Sequence, residues 1–227
     1  LLRTYAKGET RWYEEAERAA DEIVRPAVAV SVSSIFQPGS EIGYHLSWRN
    51  VRSVECSLYR VELARDIRFS EKDSSWGWTQ AVDTSRCEKV RTWTKETGDD
   101  GGHRPGSEAL RAEPLPAGAY LLETKAGGVS AREAVLVTDA VLVVRPLKSR
   151  VLAYFCSALD GTPIPGAPVR LDERFYDGSR YVWRTASAVT GDDGTCFIPR
   201  ADARSRADAR SHADIFVSAA AGDRTAF

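Results

Sequence analysis

The chain reads LPAGAYLLE from Leu115 to Glu123. The Pro and Gly of this stretch mark a turn, and the apolar residues after them begin a strand that runs to Lys125. Gly127-Gly128 then reverses the chain, and two further apolar runs follow at 132–138 and 141–144. Apolar runs separated by short turns predict strands that pair with their neighbours in antiparallel fashion.

The segments before this stretch show the two-residue period of a half-buried strand. Apolar residues alternate with small or polar ones over 28–32, and again over 42–48 after a turn signal at 37–40. A third strand of the same kind is predicted from Val54 to Leu63. Alternation of this type places one face of each strand on a core, which favours antiparallel sheets.

The segment 64–110 differs in composition, because it is polar and rich in Asp, Ser, Gly and Thr. Compact domains seldom hold a structureless loop longer than about 15 residues. We therefore interpret 64–110 as an insertion that carries short strands around Gln80–Val82 and Val90–Trp93.

A polar segment with a proline, Arg145–Arg150, predicts a domain boundary. A second series of strands follows it, at 151–158, 168–175, 181–189, 195–199 and 215–220. The polar stretch between the last two contains the string ADARS twice, at 201–205 and 207–211. Such repetition predicts a tolerant surface loop.

One helix is predicted before the first strand, over residues 9–24. Thr10 is the expected cap, and Pro26 prevents continuation of the helix. Trp12, Ala16, Ala19 and Ile23 lie at helical spacing and form one apolar stripe. We expect the stripe to pack on the first sandwich or on a segment outside this chain.

These elements predict an all-β protein of two tandem antiparallel β-sandwiches with a short N-terminal helix. The expected domains are residues 1–25 for the helix and linker, 26–145 for the first sandwich with its insertion, and 146–227 for the second. The second sandwich could be truncated at the chain end.

Composition narrows the classes of function. The chain has 227 residues, 43% hydrophobic and 28% charged, with a formal net charge of −1. This balance gives no field that attracts nucleic acid or an anionic membrane. No run approaches the roughly 18 apolar residues of a membrane span. Because Met is absent, we expect the natural start to lie upstream, where a signal peptide could have been removed.

The four cysteines, Cys56, Cys87, Cys156 and Cys196, lack C-x-x-C spacing, which disfavours metal knuckles and redox motifs. One disulfide per sandwich, Cys56–Cys87 and Cys156–Cys196, is one hypothesis. Buried thiols on strands are the alternative.

Two ordered motifs point to a known family. The sequence GTPIPGAPV at 161–169 is followed by TGDDGTCF at 190–197. Before them come the strand entry at 115–123 and the run AVLVTDAVLVV at 134–144. The Pro-x-Gly-x-Tyr entry is common in immunoglobulin-like and fibronectin-III-like sandwiches. The order of motifs resembles the early macroglobulin (MG) domains, including the MG2 type, of bacterial alpha-2-macroglobulin-like proteins.

The resemblance covers residues 26–227 and implies a fragment of a large, exported endopeptidase inhibitor. In such proteins a protease cuts a bait segment, the stack of MG domains collapses around it, and many members capture it through a Cys-Gly-Glu-Gln thioester. No cysteine of this chain lies in that motif. The resemblance therefore implies scaffold modules, whose partners are the other MG domains of the parent chain and, through the parent, target endopeptidases. It implies membrane contact only if the parent is anchored.

Three tryptophans of the insertion, Trp76, Trp78 and Trp93, are the candidate interaction surface, because aromatic residues concentrate in recognition sites. The alternative is that they pack the insertion onto the sandwich, since burial of a large side chain stabilises by roughly 2–3 kcal/mol. If the three tryptophans form one exposed surface, the sequence favours a second function, which is cell-surface adhesion or carbohydrate binding by an Ig-like module.

No catalytic, cofactor or metal site is predicted. His45, His103 and His212 are isolated, and no nucleophile motif such as G-x-S-x-G occurs. Gly-Asp-Asp-Gly occurs at 98–101 and 191–194, but Asp and Gly are also the preferred residues of hairpin loops. No enzymatic activity and no nucleic-acid partner are therefore expected.

Overall fold

A computed structural model describes residues 7–33, 35–200 and 214–227. The described helices are α1 (Tyr13–Val24), α2 (Leu63–Asp66) and the 3₁₀ segments Ser75–Ala81 and Thr84–Arg86. The described strands are β1 (Ala27–Val32), β2 (Ile35–Phe36), β3 (Ile42–Arg49), β4 (Ser53–Val61), β5 (Glu88–Glu96), β6 (Gly106–Ala112), β7 (Gly118–Ala126), β8 (Val129–Val137), β9 (Ala140–Pro146), β10 (Arg150–Ser157), β11 (Pro168–Tyr176), β12 (Tyr181–Val189), β13 (Thr195–Pro199), β14 (Asp214–Ala221) and β15 (Arg224–Ala226). The predicted all-β class is confirmed. The repeat at 201–211 and His212 lie outside the described residues.

The first sandwich packs the sheet β1-β3-β6 against the sheet β2-β8-β7-β4-β5. Strand β3 shows the predicted alternation, with Ile42, Tyr44, Leu46 and Trp48 buried and the intervening residues more exposed. These side chains meet inward residues of β4, β7 and β8, and together they form the core of the first sandwich.

Segment 64–110 supplies strands to both of these sheets. Strand β5 pairs with β4 and contains the predicted Val90–Trp93 strand, while β6 pairs with β3. The strand predicted around Gln80–Val82 does not form. A 3₁₀ segment ends at Ala81, and Val82 makes a single bridge to Ile67. The polar composition of the segment reflects the exposed positions of edge strands.

Strand β7 is buried on both faces. All of its residues except Lys125 are buried, so the apolar run that begins at Ala119 serves two cores. On the second face, Leu121 of β7 joins Tyr59, Leu136, Trp78 and other residues in a separate cluster.

The second sandwich packs the sheet β13-β10-β9 against the sheet β12-β11-β14-β15. Its core includes Phe155, Val169, Leu171 and Ile198, all nearly inaccessible to solvent. Strand β9 pairs with β10 and contributes Ala140 to this core. The predicted boundary at 145/146 therefore assigns β9 to the first sandwich, whereas hydrogen bonding joins it to the second.

Helix α1 begins at Tyr13, four residues later than predicted, and Thr10 is not its cap. The Thr10 hydroxyl accepts from the backbone N–H of Trp12 in the preceding turn, at 3.4 Å. No residue of the helix is buried, and Trp12 and Ile23 are each 50% exposed. The C-terminal end of the helix is held by Asn50, whose side-chain amide donates to the carbonyl of Ile23 at 2.6 Å.

Two glycines of the second sandwich allow the cost of a left-handed backbone to be separated from the cost of a steric clash. Gly166 and Gly194 have similar left-handed conformations, with φ of +69° and +72°. A Cβ at Gly166 would meet nothing within 4 Å, whereas one at Gly194 would lie 2.7 Å from the carbonyl oxygen of Phe155. Gly166→Ala should therefore lower the free energy of unfolding by about 1–2 kcal/mol, and Gly194→Ala by at least about 1 kcal/mol more. Urea denaturation measures both, and equal losses would contradict the close packing at Gly194.

Candidate functional site

The junction between the two sandwiches is filled by aromatic side chains. Phe69 stacks on Trp183 with ring centroids 4.1 Å apart, and Trp78 lies 5.7 Å from Phe216 and 5.0 Å from Phe227. Two of these five rings come from the segment between β4 and β5, and three come from the second sandwich. We call this set the aromatic plug.

The plug covers the second face of the five-stranded sheet. Trp78 and Phe216 are each 6% exposed and pack with residues of β4, β7 and β8. Burial of large side chains stabilises by roughly 2–3 kcal/mol each. The plug is therefore the main energetic link between the sandwiches.

Polar contacts surround the plug. Both carboxylate oxygens of Asp214 accept from the backbone N–H of Ser75, at 3.1 Å each. Arg60 and Asp223 form an ion pair of 2.9 Å across the junction, and Arg180 pairs with Glu71 at 2.8 Å. Exposed ion pairs contribute about 0–1 kcal/mol each, so these contacts orient the junction more than they stabilise it.

A buried carboxylate fixes the base of the plug. Glu123 of β7 is 1% exposed and accepts from Nε of Arg132 at 2.8 Å. The same guanidinium donates to the carbonyl of Val82 at 3.1 Å, which holds the turn after Trp78 against the sheet. Burial raises the pKa of Glu123, but hydrogen bonds from Lys125 and Arg132 outweigh it, so its pKa lies below the ordinary value of 4.5.

A cleft of about 470 Å³ lies beside the plug, between the two sandwiches. Two guanidinium groups line it, and both are engaged by the protein. Arg60 pairs with Asp223, whereas Arg170 pairs with Asp172 at 2.8 Å and also donates to the carbonyl of Ala64. The cations of the cleft therefore serve the junction.

The three candidate tryptophans occupy different environments. Trp76 is 92% exposed, whereas Trp78 belongs to the plug. Trp93 packs against the core of the first sandwich, on the opposite face of the sheet, and donates its indole N–H to the hydroxyl of Tyr44 at 3.1 Å. The structure therefore does not bring the three together as one surface.

The four cysteines are all free thiols. Cys56 lies in the core of the first sandwich, whereas Cys87 packs against the cluster on the other face of the sheet. Cys196 belongs to the second core, whereas Cys156 does not and follows Phe155, a residue of β10 whose side chain lies in that core. The hypothesis of disulfides Cys56–Cys87 and Cys156–Cys196 is therefore wrong. Burial raises the pKa of Cys56 and of Cys87 to about 11, which keeps both protonated and poorly reactive at neutral pH.

The remaining candidate polar residues serve local structure. His45 is exposed on β3, and Nδ1 of His103 lies 2.8 Å from the Asn50 side-chain oxygen. In the Gly-Asp-Asp-Gly turns, Asp99 accepts from the backbone N–H of Gly101 and Asp193 from that of Thr195. Within the described ranges, no group of three or more His, Cys, Asp or Glu side chains is placed to hold a metal ion.

Sequence comparison identifies no relative. No family model matches the chain, and no curated protein matches it at a significant level.

Structural comparison gives a clear likeness. The chain is similar to native alpha-2-macroglobulin from Escherichia coli spanning domains MG0-NIE-MG1, with a TM-score of 0.52 and 17% identity. The alignment covers 89% of this chain and 63% of that chain. A structure spanning domains NIE-MG1 of the same protein gives a TM-score of 0.50 at 15% identity, over 89% of this chain and 95% of that one. The fold is therefore that of bacterial macroglobulin domains, which confirms the predicted resemblance at the level of fold.

Those structures span the domains MG0, NIE and MG1, so the MG2 type expected from the motifs stays a prediction. Among the described helices, none is long and apolar enough to span a membrane.

Trp78 and Trp76 provide a matched test of the plug, because both belong to the same 3₁₀ segment. Trp78→Ala should lower the free energy of unfolding by about 3–5 kcal/mol and separate the unfolding of the two sandwiches. Trp76→Ala should change it by less than about 0.5 kcal/mol. Chemical denaturation followed by circular dichroism measures both, and similar effects of the two substitutions would contradict the assigned role of the plug.

Glu123 predicts a dependence of stability on pH. Its folded pKa is depressed, so its contribution is present above 4.5 and is lost as the pH falls through the folded value. Glu123→Gln should therefore flatten the loss of stability between about pH 5 and pH 3.

Glu133 on the next strand provides the control, because burial raises its pKa. A raised carboxyl pKa stabilises the folded state as the pH falls towards the unfolded value of 4.5, so Glu133→Gln should steepen the loss of stability on the alkaline side of 4.5. Identical pH profiles for the two variants would exclude the ion pair as the cause.

Proposed function

We propose that this chain forms two non-catalytic scaffold modules of a macroglobulin-like endopeptidase inhibitor, whose trapping functions lie elsewhere in the parent. The aromatic plug carries the proposal, because it joins the two sandwiches into one unit through a large apolar contact. A stack that must transmit a rearrangement needs such units. The likeness to E. coli alpha-2-macroglobulin supports the same assignment.

The chemistry of the described side chains supports a scaffold role. The buried carboxylates are paired with cations or hydrogen-bond donors, as with Glu123 and Arg132, and the guanidiniums of the cleft are engaged. The thiols of Cys56 and Cys87 have raised pKa values, which opposes nucleophilic use. The partners in this proposal are other macroglobulin domains of the parent and, through them, target endopeptidases, in an exported protein.

Adhesion or glycan binding is the second candidate, and it rests on Trp76 alone. This side chain is 92% exposed, which is unusual for a large aromatic residue. Because Trp78 and Trp93 are buried or half-buried, the platform of three aromatics does not form. Binding on a glycan array that is lost in Trp76→Ala would favour this candidate over the scaffold role.

Retention of an endopeptidase by the full-length parent tests the scaffold proposal. We expect the parent to co-elute with a fluorescently labelled endopeptidase in size-exclusion chromatography, and the 227-residue chain alone to inhibit nothing. Trp78→Ala in the parent should reduce retention, because it loosens the junction, while Trp76→Ala should leave retention unchanged. A parent that retains no endopeptidase, or an isolated chain that inhibits one, would contradict the proposal.

The intact mass of the parent, with and without methylamine, defines the kind of inhibitor. A mass gain of one amine indicates a thioester and a covalent trap. An unchanged mass together with retention indicates a non-covalent trap.

A further inference from the structure

The sheet β13-β10-β9 of the second sandwich is apolar on both faces. Its inner face contributes Val151, Ala153 and Phe155 to the core. On the other face, Leu152 lies opposite Phe197 and Tyr154 lies opposite Val143. We call this the outer face, formed by Val141, Val143, Leu152, Tyr154 and Phe197.

The outer face is substantially open to solvent. Val143 is 53% exposed, Phe197 46% and Val141 39%. The corresponding surface of the sheet β1-β3-β6 carries mainly small or polar residues, such as Gly43, His45 and others at positions 27, 29, 31 and 47. An apolar outer face is therefore specific to the second sandwich, and contiguous patches of this kind mark protein contacts.

The first sandwich also contains a sheet with two apolar faces, and both of those faces are buried. The second face of its five-stranded sheet is covered by the aromatic plug, part of which comes from a different sandwich. The outer face of the second sandwich has no comparable cover among the described residues.

The two ends of the outer face carry opposite charges. Arg145, Lys148 and Arg150 are exposed at the end where β9 turns into β10. At the other end, the exposed acidic residues are Asp160, Asp192 and Asp193. None of these six forms an ion pair with another described residue.

Local turns keep the acidic end ionised. The backbone N–H of Thr162 donates to Asp160 and lowers its pKa, and the N–H of Thr195 does the same for Asp193. The cationic end is also ordered, because the Arg150 guanidinium lies 3.9 Å from the centroid of the Phe197 ring.

We propose that the outer face binds a second copy of this chain, related by a two-fold axis that lies between the sheets and perpendicular to the strands. This operation turns the strands end for end. It places the basic end of each copy over the acidic end of the other and the apolar centre on itself. A self-complementary patch of this kind is the requirement for an isologous dimer.

The size of the face sets the expected affinity. Three strands spaced by about 4.8 Å, with the loops at both ends, offer on the order of 500 Å² per partner. Stable complexes usually bury about 800 Å² per partner, so the dimer is weak. We expect a dissociation constant of about 10–300 μM, and charge screening should weaken it at high salt.

Sedimentation equilibrium of the chain from about 5 to 500 μM tests this dimer, at roughly 50 mM and 500 mM salt. Val143→Asp places a charge within the apolar outer face and should raise the dissociation constant at least about tenfold. Val189→Asp is the matched control, because Val189 is 62% exposed on β12 in the other sheet. It should leave the constant within about twofold.

Charge reversal tests the orientation of the two copies. Arg145→Glu with Lys148→Glu makes both ends acidic, and Asp160→Lys with Asp192→Lys makes both ends basic, while Asp193 keeps its turn. Neither double variant should self-associate, but an equimolar mixture should form a heterodimer, because every end then meets its opposite. Circular dichroism and thermal unfolding check that both variants are folded.

The proposal is overturned if the wild-type chain stays monomeric up to about 500 μM at low salt. It is also overturned if Val143→Asp and Val189→Asp associate equally, or if the two folded charge variants fail to associate when mixed. None of these results bears on endopeptidase retention by the parent.

Discussion

Burial of the five-stranded sheet on both faces is the constraint on which the rest of the structure depends. Strand β7 is buried along almost its whole length, so each of its faces must be covered. The sheet β1-β3-β6 covers one face and thereby forms the first core. The other face is covered by the aromatic plug, which requires the segment after β4 to fold back and the second sandwich to lie against it. The relative placement of the sandwiches is thus a consequence of one sheet.

Charged and polar contacts orient the sandwiches and the plug, whereas apolar burial supplies most of the stability of this arrangement. Glu123 lies in the doubly buried strand, where an unpaired carboxylate would be costly, and Arg132 and Lys125 remove that cost. Arg132 also donates to the backbone carbonyl of Val82. The residue that neutralises Glu123 therefore also holds the turn after Trp78 against the sheet. The exposed pairs around the junction contribute less, because solvent screens them.

The likeness to E. coli alpha-2-macroglobulin at 17% identity is consistent with a fold set by apolar burial more than by particular charged contacts. A sandwich depends on alternation of apolar residues and on turns of a fixed geometry, and both can be kept while most side chains change. Gly194 is one position without such freedom, because a side chain there would meet the carbonyl oxygen of Phe155. Features of this kind explain how a fold is shared where sequence comparison finds no relative.

The sequence by itself determined the all-β class, most of the core strands and the turns between them, since alternation and turn residues act over a few neighbouring positions. Only the tertiary structure decided the role of the polar segment 64–110, because an edge strand needs no apolar pattern until its partner is known. The placement of β9 depended on the strand with which it pairs. The free state of the cysteines and the separation of Trp76, Trp78 and Trp93 depended on which face of which sheet each residue joins. Register between distant strands sets that face, and a shift of one residue reverses it.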